Sequence, residues 1–376
     1  MRNLRQTQCA FAIAILTCAA ALCQPKPQPK YAIEFTSVTD STGNFSAFGA
    51  FPAINNQGEV AFTAVKNGSP GVFRSREDME QFVTIASTKD ALDSFGADVS
   101  LNASGTVAFG ATTASNSRSI FKGDGKSLTL IVDSTAAGFV GRVLGSPSIN
   151  ASGTVAFSAV FAQRGLPAGV FTGNGGPLTA VAATSPSGFS SFQNAAINAS
   201  GKVVFEANLA DGSRGIFTVS GASFEKIVDS NAHPEIDTLN DPVINDPGTV
   251  ADVAFVLPFD APEAFTARNG GFTPRNDAAN APFLNTDHPS LNNSGAIAFA
   301  AIPLASVTDP TGIFLGLSGG ESLIPVIRPG DPLFGSTVTQ VNLGRFALND
   351  RFQMAFEYTL ADGRSGIAIA SFNGER

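Results

Sequence analysis

The chain has 376 residues, of which 43% are hydrophobic and 14% charged, a composition too apolar for a disordered protein. Its 38 glycines, 22 prolines and 32 phenylalanines favour strands and tight turns over helices. The formal net charge of -8 argues against nucleic acid as a partner, because binding to phosphate backbones requires clustered Lys and Arg.

The first residues predict a signal peptide over 1–23. Arg2 and Arg5 form a basic start, and Ala10 to Ala21 form an apolar stretch that is too short to remain as a membrane anchor. Cleavage is expected after Ala21 or after Cys23, and a lipid anchor at Cys23 is the alternative. We therefore expect an exported protein, secreted or periplasmic.

Residues 24–30 read as a Pro-rich linker, and residues 31–376 as a single domain. All three cysteines lie in the signal segment: Cys9, Cys18 and Cys23. The mature domain is therefore expected to have no disulfide, no thiol nucleophile and no cysteine metal site, and we expect no cofactor. No later stretch is long and apolar enough for a transmembrane anchor, and we expect a monomer.

The domain is dominated by a tandem repeat, Asn-x-x-Gly-x-x-Ala-Phe. Successive motif asparagines are 47, 48, 48, 47, 47 and 57 residues apart. An Asn side chain accepts hydrogen bonds from nearby backbone, and Gly tolerates the left-handed conformation of a tight hairpin, so the motif predicts a turn. Its seven copies begin at Asn55, Asn102, Asn150, Asn198, Asn245, Asn292 and Asn349.

Two copies depart from the pattern. In the fifth, Asp252 falls within the strand leading to Phe255, which predicts a bulge or a lengthened turn. In the seventh, Phe352 stands where the other copies have glycine, which argues against a positive-φ turn there.

Each repeat contains four short strand patterns, as in one blade of a propeller. The seventh repeat stops after its third strand, whereas Tyr31 to Asp40 precedes the first repeat as an unmatched strand. Pairing that strand with the last three would close a ring and remove its open edges. The sequence predicts an all-β fold, a seven-bladed β-propeller; another blade count or an open β-solenoid is the alternative.

Phenylalanines recur on the second and third strands of the repeats, and we expect them to pack between adjacent blades. They are Phe62, Phe109, Phe157, Phe205, Phe255, Phe299 and Phe356 on second strands, and Phe73, Phe121, Phe171, Phe217, Phe265 and Phe314 on third strands.

On these motifs, from Tyr31 to Arg376, the chain resembles the tandem NxxGxxAF-repeat proteins. The resemblance implies an exported bacterial protein with no assigned activity. The order of strands also looks like that of WD-type propellers, which implies no shared function.

Few side chains suggest chemistry. His233 and His288 are expected to be polar loop residues on connections into first strands, and a catalytic group in which a histidine pairs with Ser290 or Asp287 is the alternative. Asp133 and Asp229 occupy the same repeat position, which predicts turn caps; carboxylates that line a channel and bind calcium are the alternative. We assign no metal ligands.

The most irregular segment between repeats, Arg328 to Gly335, is a candidate binding loop because long departures from a repeat tend to carry function. The predicted binding residues on this and comparable connections are Arg142, Glu235, Asp237, Arg328, Asp331 and Arg345. The expected function is a binding or scaffold module for a protein, a peptide or an envelope component, and a propeller hydrolase or lyase with a central pocket is the alternative.

Overall fold

The computed structural model describes residues 31–373 except 77–80, 136–140, 162–167, 185–187, 222, 258–260, 269, 276–282, 304–310 and 319–322. The signal segment, the linker and Cys23 lie outside the described residues. Within the described part the chain forms strands, turns and a single 3₁₀ turn at Thr88–Asp90, and it contains no α-helix.

The first strands in chain order are β1 (Ala32–Asp40), β2 (Phe45–Ser46), β3 (Ala53–Ile54), β4 (Val60–Lys66), β5 (Ser69–Ser75), β6 (Phe82–Ser87), β7 (Leu92–Leu101), β8 (Val107–Thr113), β9 (Arg118–Gly123) and β10 (Leu128–Asp133). The next are β11 (Gly141–Ile149), β12 (Val155–Phe161), β13 (Gly169–Gly173), β14 (Thr179–Ala183), β15 (Phe189–Ile197), β16 (Val203–Leu209), β17 (Arg214–Ser220), β18 (Ser223–Asp229), β19 (Ile236–Ile244) and β20 (Val250–Val256). The last are β21 (Ala261–Arg268), β22 (Gly271–Pro274), β23 (Phe283–Leu291), β24 (Ile297–Pro303), β25 (Gly312–Gly316), β26 (Ile324–Ile327), β27 (Pro332–Leu333), β28 (Ser336–Leu348), β29 (Gln353–Leu360) and β30 (Ser365–Asn373).

These strands form seven antiparallel sheets arranged as a ring, which confirms the seven-bladed β-propeller. Blades two to six use four consecutive strands each, and blade one uses β2 to β6. Blade seven has the order β1-β30-β29-β28-β27. The N-terminal strand therefore pairs antiparallel with β30, from Ala32 opposite Asn373 to Asp40 opposite Gly366, and closes the ring as expected.

The motif asparagines join neighbouring blades as well as shaping their own turns. In the second blade the Asn102 Oδ1 accepts hydrogen bonds from the backbone N–H groups of Ser104 and Thr106, while its Nδ2 donates to the Asn150 carbonyl of the next blade at 3.0 Å. The same blade-to-blade bond recurs from Asn55, Asn198, Asn245, Asn292 and Asn349. A belt of buried amides thus runs around one end of the channel, and it explains why Asn is needed at this position.

The fifth motif has an ordinary turn, so the predicted bulge or lengthened turn was wrong. The Gly248 N–H donates to the Asn245 carbonyl at 3.0 Å, as in the other copies. Asp252 lies opposite Phe265 in the sheet, where other blades pair two phenylalanines such as Phe157 and Phe171. A fully buried aspartate therefore replaces the core phenylalanine of blade five, and Phe255, which we expected in the core, is only half-buried.

The seventh motif also keeps its turn, contrary to the expectation from its missing glycine. Phe352 adopts a φ of 56°, and its N–H donates to the Asn349 carbonyl at 3.2 Å. Its side chain packs against the core of the last blade. Packing and the Asn349 hydrogen bonds therefore hold a bulky residue in the left-handed region, which normally costs about 1 to 2 kcal/mol.

The other repeated phenylalanines form the core as predicted. Phe62, Phe109, Phe157, Phe205, Phe265, Phe299 and Phe356 are all fully buried, and five partners on third strands are at most 9% exposed. Single clusters combine residues of adjacent blades, so each interface between blades is an apolar layer.

In blades two to seven, the inner strand, which lines the channel, carries a β-bulge where it pairs with the next strand of its blade. In blade five the inner strand advances three residues, from Asn240 to Val243, against two on its partner. In blade seven it advances five residues, from Leu343 to Leu348, against two. A bulge turns side chains out of the regular alternation, so residues next to it point into the channel instead of the core.

Candidate functional site

In blades two to seven the residue four positions before the motif asparagine stands at this bulge, and Phe51 takes the same sequence position in blade one. The seven residues are Phe51, Asp98, Ser146, Asn194, Asp241, His288 and Arg345, and we call them the channel ring. Five of the seven are charged or carry an amide, although each inner strand ends in an apolar residue just before the motif asparagine. The closed fold therefore brings residues about 47 to 57 positions apart to the same level of the channel.

Arg345 crosses the channel from blade seven. Its Nη2 donates to the Pro242 carbonyl of blade five at 2.7 Å and to the Ala195 carbonyl of blade four at 3.4 Å. The side chain is 1% exposed, and its Nε and Nη1 have no hydrogen-bond partner among the described residues. The large bulge of β28 makes this reach possible, because it places Arg345 inside the ring of inner strands.

The neighbouring Phe346 fills the channel beside it. Its ring packs against core clusters of blades one and two, of blades four and five, and of blades five and six. Contact with blades on opposite sides places the aromatic ring across the channel. Arg345 and Phe346 together separate the channel into two ends.

One end contains a compact group of Asp241, Asp287 and His288. The His288 Nδ1 lies 3.1 Å from Asp287 Oδ2, and its Nε2 lies 3.9 Å from Asp241 Oδ2. One ligand atom of each residue lies within 4.8 Å of the others. Phe51 stacks on the imidazole with a distance of 4.1 Å between ring centroids, which fixes the orientation of the imidazole plane.

Hydrogen bonds hold the other carboxylate oxygens of this group. Asn194 Nδ2 donates to Asp241 Oδ1. Asp287 Oδ1 accepts from the His288 backbone N–H at 2.9 Å and from Asn240 Nδ2 at 3.3 Å. The two Oδ2 atoms are therefore the ones that face the imidazole.

The backbone at this group is strained. Asp241 has a φ of 65° and His288 a φ of 49°, in the left-handed region that costs an ordinary residue about 1 to 2 kcal/mol. Strain of this kind persists where the surrounding structure holds it, and it is concentrated at functional sites.

Electrostatics couple the ring across the channel. Burial raises the pKa of Asp98, although a hydrogen bond from the Ser146 side chain and the positive charge of Arg345 oppose the shift. Burial lowers the pKa of His288, but the hydrogen bond and negative charge of Asp287, with further charge from Asp241, outweigh it and raise the net value. The charged groups of the channel ring therefore interact electrostatically with one another across the channel.

Two further acids are buried behind the ring. Burial raises the pKa of Glu206 to about 8, and the charge of Asp241 adds to that shift. Burial and the charge of Glu206 hold the pKa of Asp252 well above its usual range. One Asp252 oxygen accepts from the backbone N–H groups of Asn240 and Val253, while its Oδ2 has no partner among the described residues.

A small cavity adjoins the group between blades six and seven. Its volume is about 120 Å³, and Phe51, Asn285, Asp287, His288 and Asn342 contribute to its lining. The Asp287 side chain is 40% exposed, so this end of the ring is reached from solvent. The arrangement can bind a small polar or cationic group.

Of the six predicted binding residues, the structure places one in the channel ring. Arg345 belongs to the channel ring in β28 and not to a connection, so that placement was wrong. His288 likewise lies within β23, not in the loop where we expected it. Glu235, Arg328 and Asp331 contact other residues. Glu235 bonds His233 at 3.0 Å, and Arg328 lies 3.9 Å from Asp331 within the predicted loop. Whether these bind a ligand stays a prediction.

Two predicted residues lie at strand positions. Asp237 is exposed near the start of β19, on the connection side of the inner strand. Arg142 lies in β11, and its side chain is outside the described part of the structure.

Asp133 and Asp229 end the outermost strands of their blades, far from a channel-lining position. The Asp133 carboxylate accepts from Ser117 and Thr135, and Asp229 accepts from the Ala232 backbone N–H and Lys226. They are turn caps, and the calcium-lined channel that we considered for them is wrong because β10 and β18 are outer strands.

The opposite end of the channel is lined by the seven motif turns and encloses about 220 Å³. Its rim includes Asn56, Asp246, Asn293 and Asp350, whose side chains bond one another and the neighbouring backbone. These polar groups are occupied in joining blades, so the first end is the better candidate site.

A family model matches residues 32–372, and its description is a family of unknown function, DUF7453. The chain belongs to this family. The match covers the whole ring from β1 to β30, so the DUF7453 domain is the propeller. No curated protein sequence matches the chain.

Several solved structures share the fold. An acylaminoacyl peptidase in complex with a chloromethyl ketone has a TM-score of 0.55 and 10% identity, over 88% of this chain and 51% of that one. The acylaminoacyl peptidase of Pyrococcus horikoshii has a TM-score of 0.52 and 8% identity, over 84% and 49%. A prolyl endopeptidase has a TM-score of 0.53 and 12% identity, over 87% and 47%.

The DUF7453 chain spans about half the length of these peptidases. At such identities the likeness shows the propeller fold alone. Among the described residues no helix is long and apolar enough to cross a membrane.

Proposed function

We propose that this DUF7453 protein is a non-catalytic binding module that holds a cationic group of a protein or peptide partner at the channel ring. The observation that carries the proposal is the convergence of Asp98, Asp241 and Asp287 on one half-buried end of the channel. The three carboxylates outnumber the positive charges of Arg345 and His288, so this end of the channel is negatively charged. The chain as a whole also carries a net negative charge, -8. Opposite charge attracts such a partner and fixes its orientation.

The test uses synthetic ten-residue peptides rich in Lys, rich in Glu or uncharged, each labelled for fluorescence anisotropy and measured in the presence of a chelator. We expect the Lys-rich peptide to bind most tightly and the double substitution Asp98→Asn and Asp287→Asn to weaken it at least fivefold. The exposed Asp93→Asn is the matched control. Equal binding of the three peptides, or equal effects of the two sets of substitutions, would contradict the proposal.

A hydrolase or lyase is the second candidate, favoured by the His288–Asp287 pair beside Arg345. Such a reaction would need a nucleophile or an activated water next to the imidazole. Among the described residues, the hydrogen-bonding neighbours of that imidazole are carboxylates, and Ser290 Oγ accepts from the backbone N–H groups of Ala347 and Leu348. This arrangement favours binding over acyl transfer.

The proposal extends to the cell compartment. Arg2, Arg5 and the apolar segment that follows support export, and the NxxGxxAF motifs support a bacterial repeat protein that works outside the cytoplasm as a monomer. Mass spectrometry of the mature protein tests export, since it distinguishes an intact N-terminus from cleavage after Ala21 or after Cys23 and from a lipid on Cys23. Light scattering tests the monomer.

A further inference from the structure

We propose that Asp241, Asp287 and His288 form a binding site for one divalent transition-metal ion, such as Zn²⁺. It rests on the proposed function for placing cation binding at the channel ring, where the ion and a cationic peptide group would compete for Asp241 and Asp287. One imidazole nitrogen and two carboxylate oxygens within 4.8 Å of one another form a ligand set that suits Zn²⁺. Three protein ligands leave a coordination position open for an exogenous ligand.

The two carboxylates are held in advance, whereas the imidazole presents Nδ1 to Asp287 and Nε2 to Asp241 and must turn for one nitrogen to share an ion with both. Asp241 Oδ1 is occupied by Asn194, and Asp287 Oδ1 by the His288 N–H and Asn240, so both Oδ2 atoms are left facing the imidazole. The separation of 3.9 Å between Asp241 Oδ2 and His288 Nε2 is longer than a hydrogen bond. Hydrogen bonds to the outer atoms of ligands are the usual support of a metal site.

The charges also fit an ion. Asp98, Asp241 and Asp287 carry three negative charges, and Arg345 carries one positive charge. With a neutral imidazole the remaining charge of minus two is balanced by one divalent cation.

An independent observation comes from Arg345. Within the described part of the chain its Nε and Nη1 lack hydrogen-bond partners although the side chain is 1% exposed, and Nε lies 4.0 Å from Asp241 Oδ1. Buried N–H groups of a guanidinium need an acceptor. An oxygen of a hydroxide or an anionic group at the open position of the metal would provide one.

This inference departs from the sequence expectation of no metal site, which rested on the absence of cysteine from the mature domain. Zn²⁺ sites built from His and carboxylate require no thiolate. The feature of the sequence that could have indicated this site is a shared repeat position, because His288 and Asp241 each lie four residues before the motif asparagine in successive repeats.

The test is a calorimetric titration of the tag-free mature protein with ZnCl₂ alone after chelator treatment, and the same samples are followed by thermal unfolding. We expect one Zn²⁺ per chain and a rise in the unfolding midpoint. Asp241→Asn, Asp287→Asn and His288→Gln are each expected to weaken binding at least 100-fold.

His233→Gln is the matched control, because His233 also bonds a carboxylate, Glu235, at 3.0 Å, but no described residue adds a second acid to that pair to make a group of three ligands. It should bind Zn²⁺ like the wild type. Absence of stoichiometric binding to the wild type, or equal losses in His233→Gln and His288→Gln, would overturn the metal site.

Titration of the wild type with Co²⁺ covers the case in which a substituted protein fails to fold, because its visible absorption reports nitrogen and oxygen ligands directly. Spectra that show only hexaaqua Co²⁺ would overturn the site. If the Lys-rich peptide still binds in chelator while Zn²⁺ does not bind, the metal site fails and the proposed function stands.

Discussion

Asn349 of the last blade donates from Nδ2 to the main-chain carbonyl of Asn55 in the first blade, at 2.9 Å and across 294 residues of sequence. The same contact joins the other blades to their successors wherever it is described. At Asn349 the contact also seals the ring, since blades seven and one are the ends of the repeat array. The repeat motif is therefore a closure device in addition to a turn.

Replacing Asn349 with Ala should destabilise the fold by about 2 to 4 kcal/mol. The substitution leaves the backbone N–H groups of Arg351 and Gln353 without their acceptor, and it removes the buried bond from Nδ2 to the Asn55 carbonyl. Urea unfolding measures the loss. Asn56→Ala is the control: it removes two bonds to Asp350 between the same two blades on the exposed rim, so it should cost less than about 1 kcal/mol. Equal losses would contradict the role of the buried belt.

Replacing Arg345 with Met should destabilise the protein by about 3 kcal/mol near neutral pH. The substitution keeps the apolar stem but leaves Asp98 and Asp241 without their buried counter-charge, and it frees the carbonyls of Ala195 and Pro242. The penalty should shrink as the pH falls, because burial raises the pKa of Asp98 and this carboxylate then becomes protonated. Thermal unfolding at pH 4 and pH 7.5 checks this, and a penalty of the same size at both would show that charge is not the cause.

Glu206→Gln should stabilise the protein in a pH-dependent way. The unfolded carboxyl ionises near pH 4.5, but the folded pKa is about 8, so the wild type loses stability as the pH rises between these values, by about 1.4 kcal/mol per pH unit at most. Glutamine cannot ionise and escapes that loss. The gain should be small at pH 4.5 and reach a few kcal/mol above pH 8, as measured by urea unfolding. The exposed Asp93→Asn is the control, and a gain that does not change with pH would contradict the buried acid.

The sequence was sufficient for the blade count and the closing strand, because the motif spacing and the unmatched strand Tyr31 to Asp40 depend on local patterns. It was insufficient at Asp252 and Phe352. Matching the letters Ala-Phe placed Phe255 in the core, whereas counting seven residues from the motif asparagine places Asp252 there. The glycine rule failed at Phe352 because tertiary packing outweighs the local backbone preference.

The candidate site could have been found by counting four residues back from every motif asparagine. These positions are polar in six of the seven repeats and come just before an apolar strand end. They are Phe51, Asp98, Ser146, Asn194, Asp241, His288 and Arg345. Strand alternation hid it, since the inner strand advances four residues at the bulge in blades two and three, three residues in blades four to six and five residues in blade seven. The reach of Arg345 across the channel depends on the size of one bulge, which spacing alone does not give.

The central claim is that the N-terminal strand completes the last blade and so closes the channel that holds the candidate site. A chain that begins at Tyr31 contains no cysteine, so a pair of introduced cysteines gives an unambiguous signal. Glu34 lies opposite Ser371 in the paired strands. The measurement is the mass, before and after alkylation, of the oxidised double variant Glu34→Cys and Ser371→Cys.

The account predicts an intramolecular disulfide in nearly every molecule and two free thiols when Glu34→Cys is combined instead with Glu225→Cys on blade four. Two free thiols in the first variant, or a disulfide between different chains, would contradict closure of the ring by this strand.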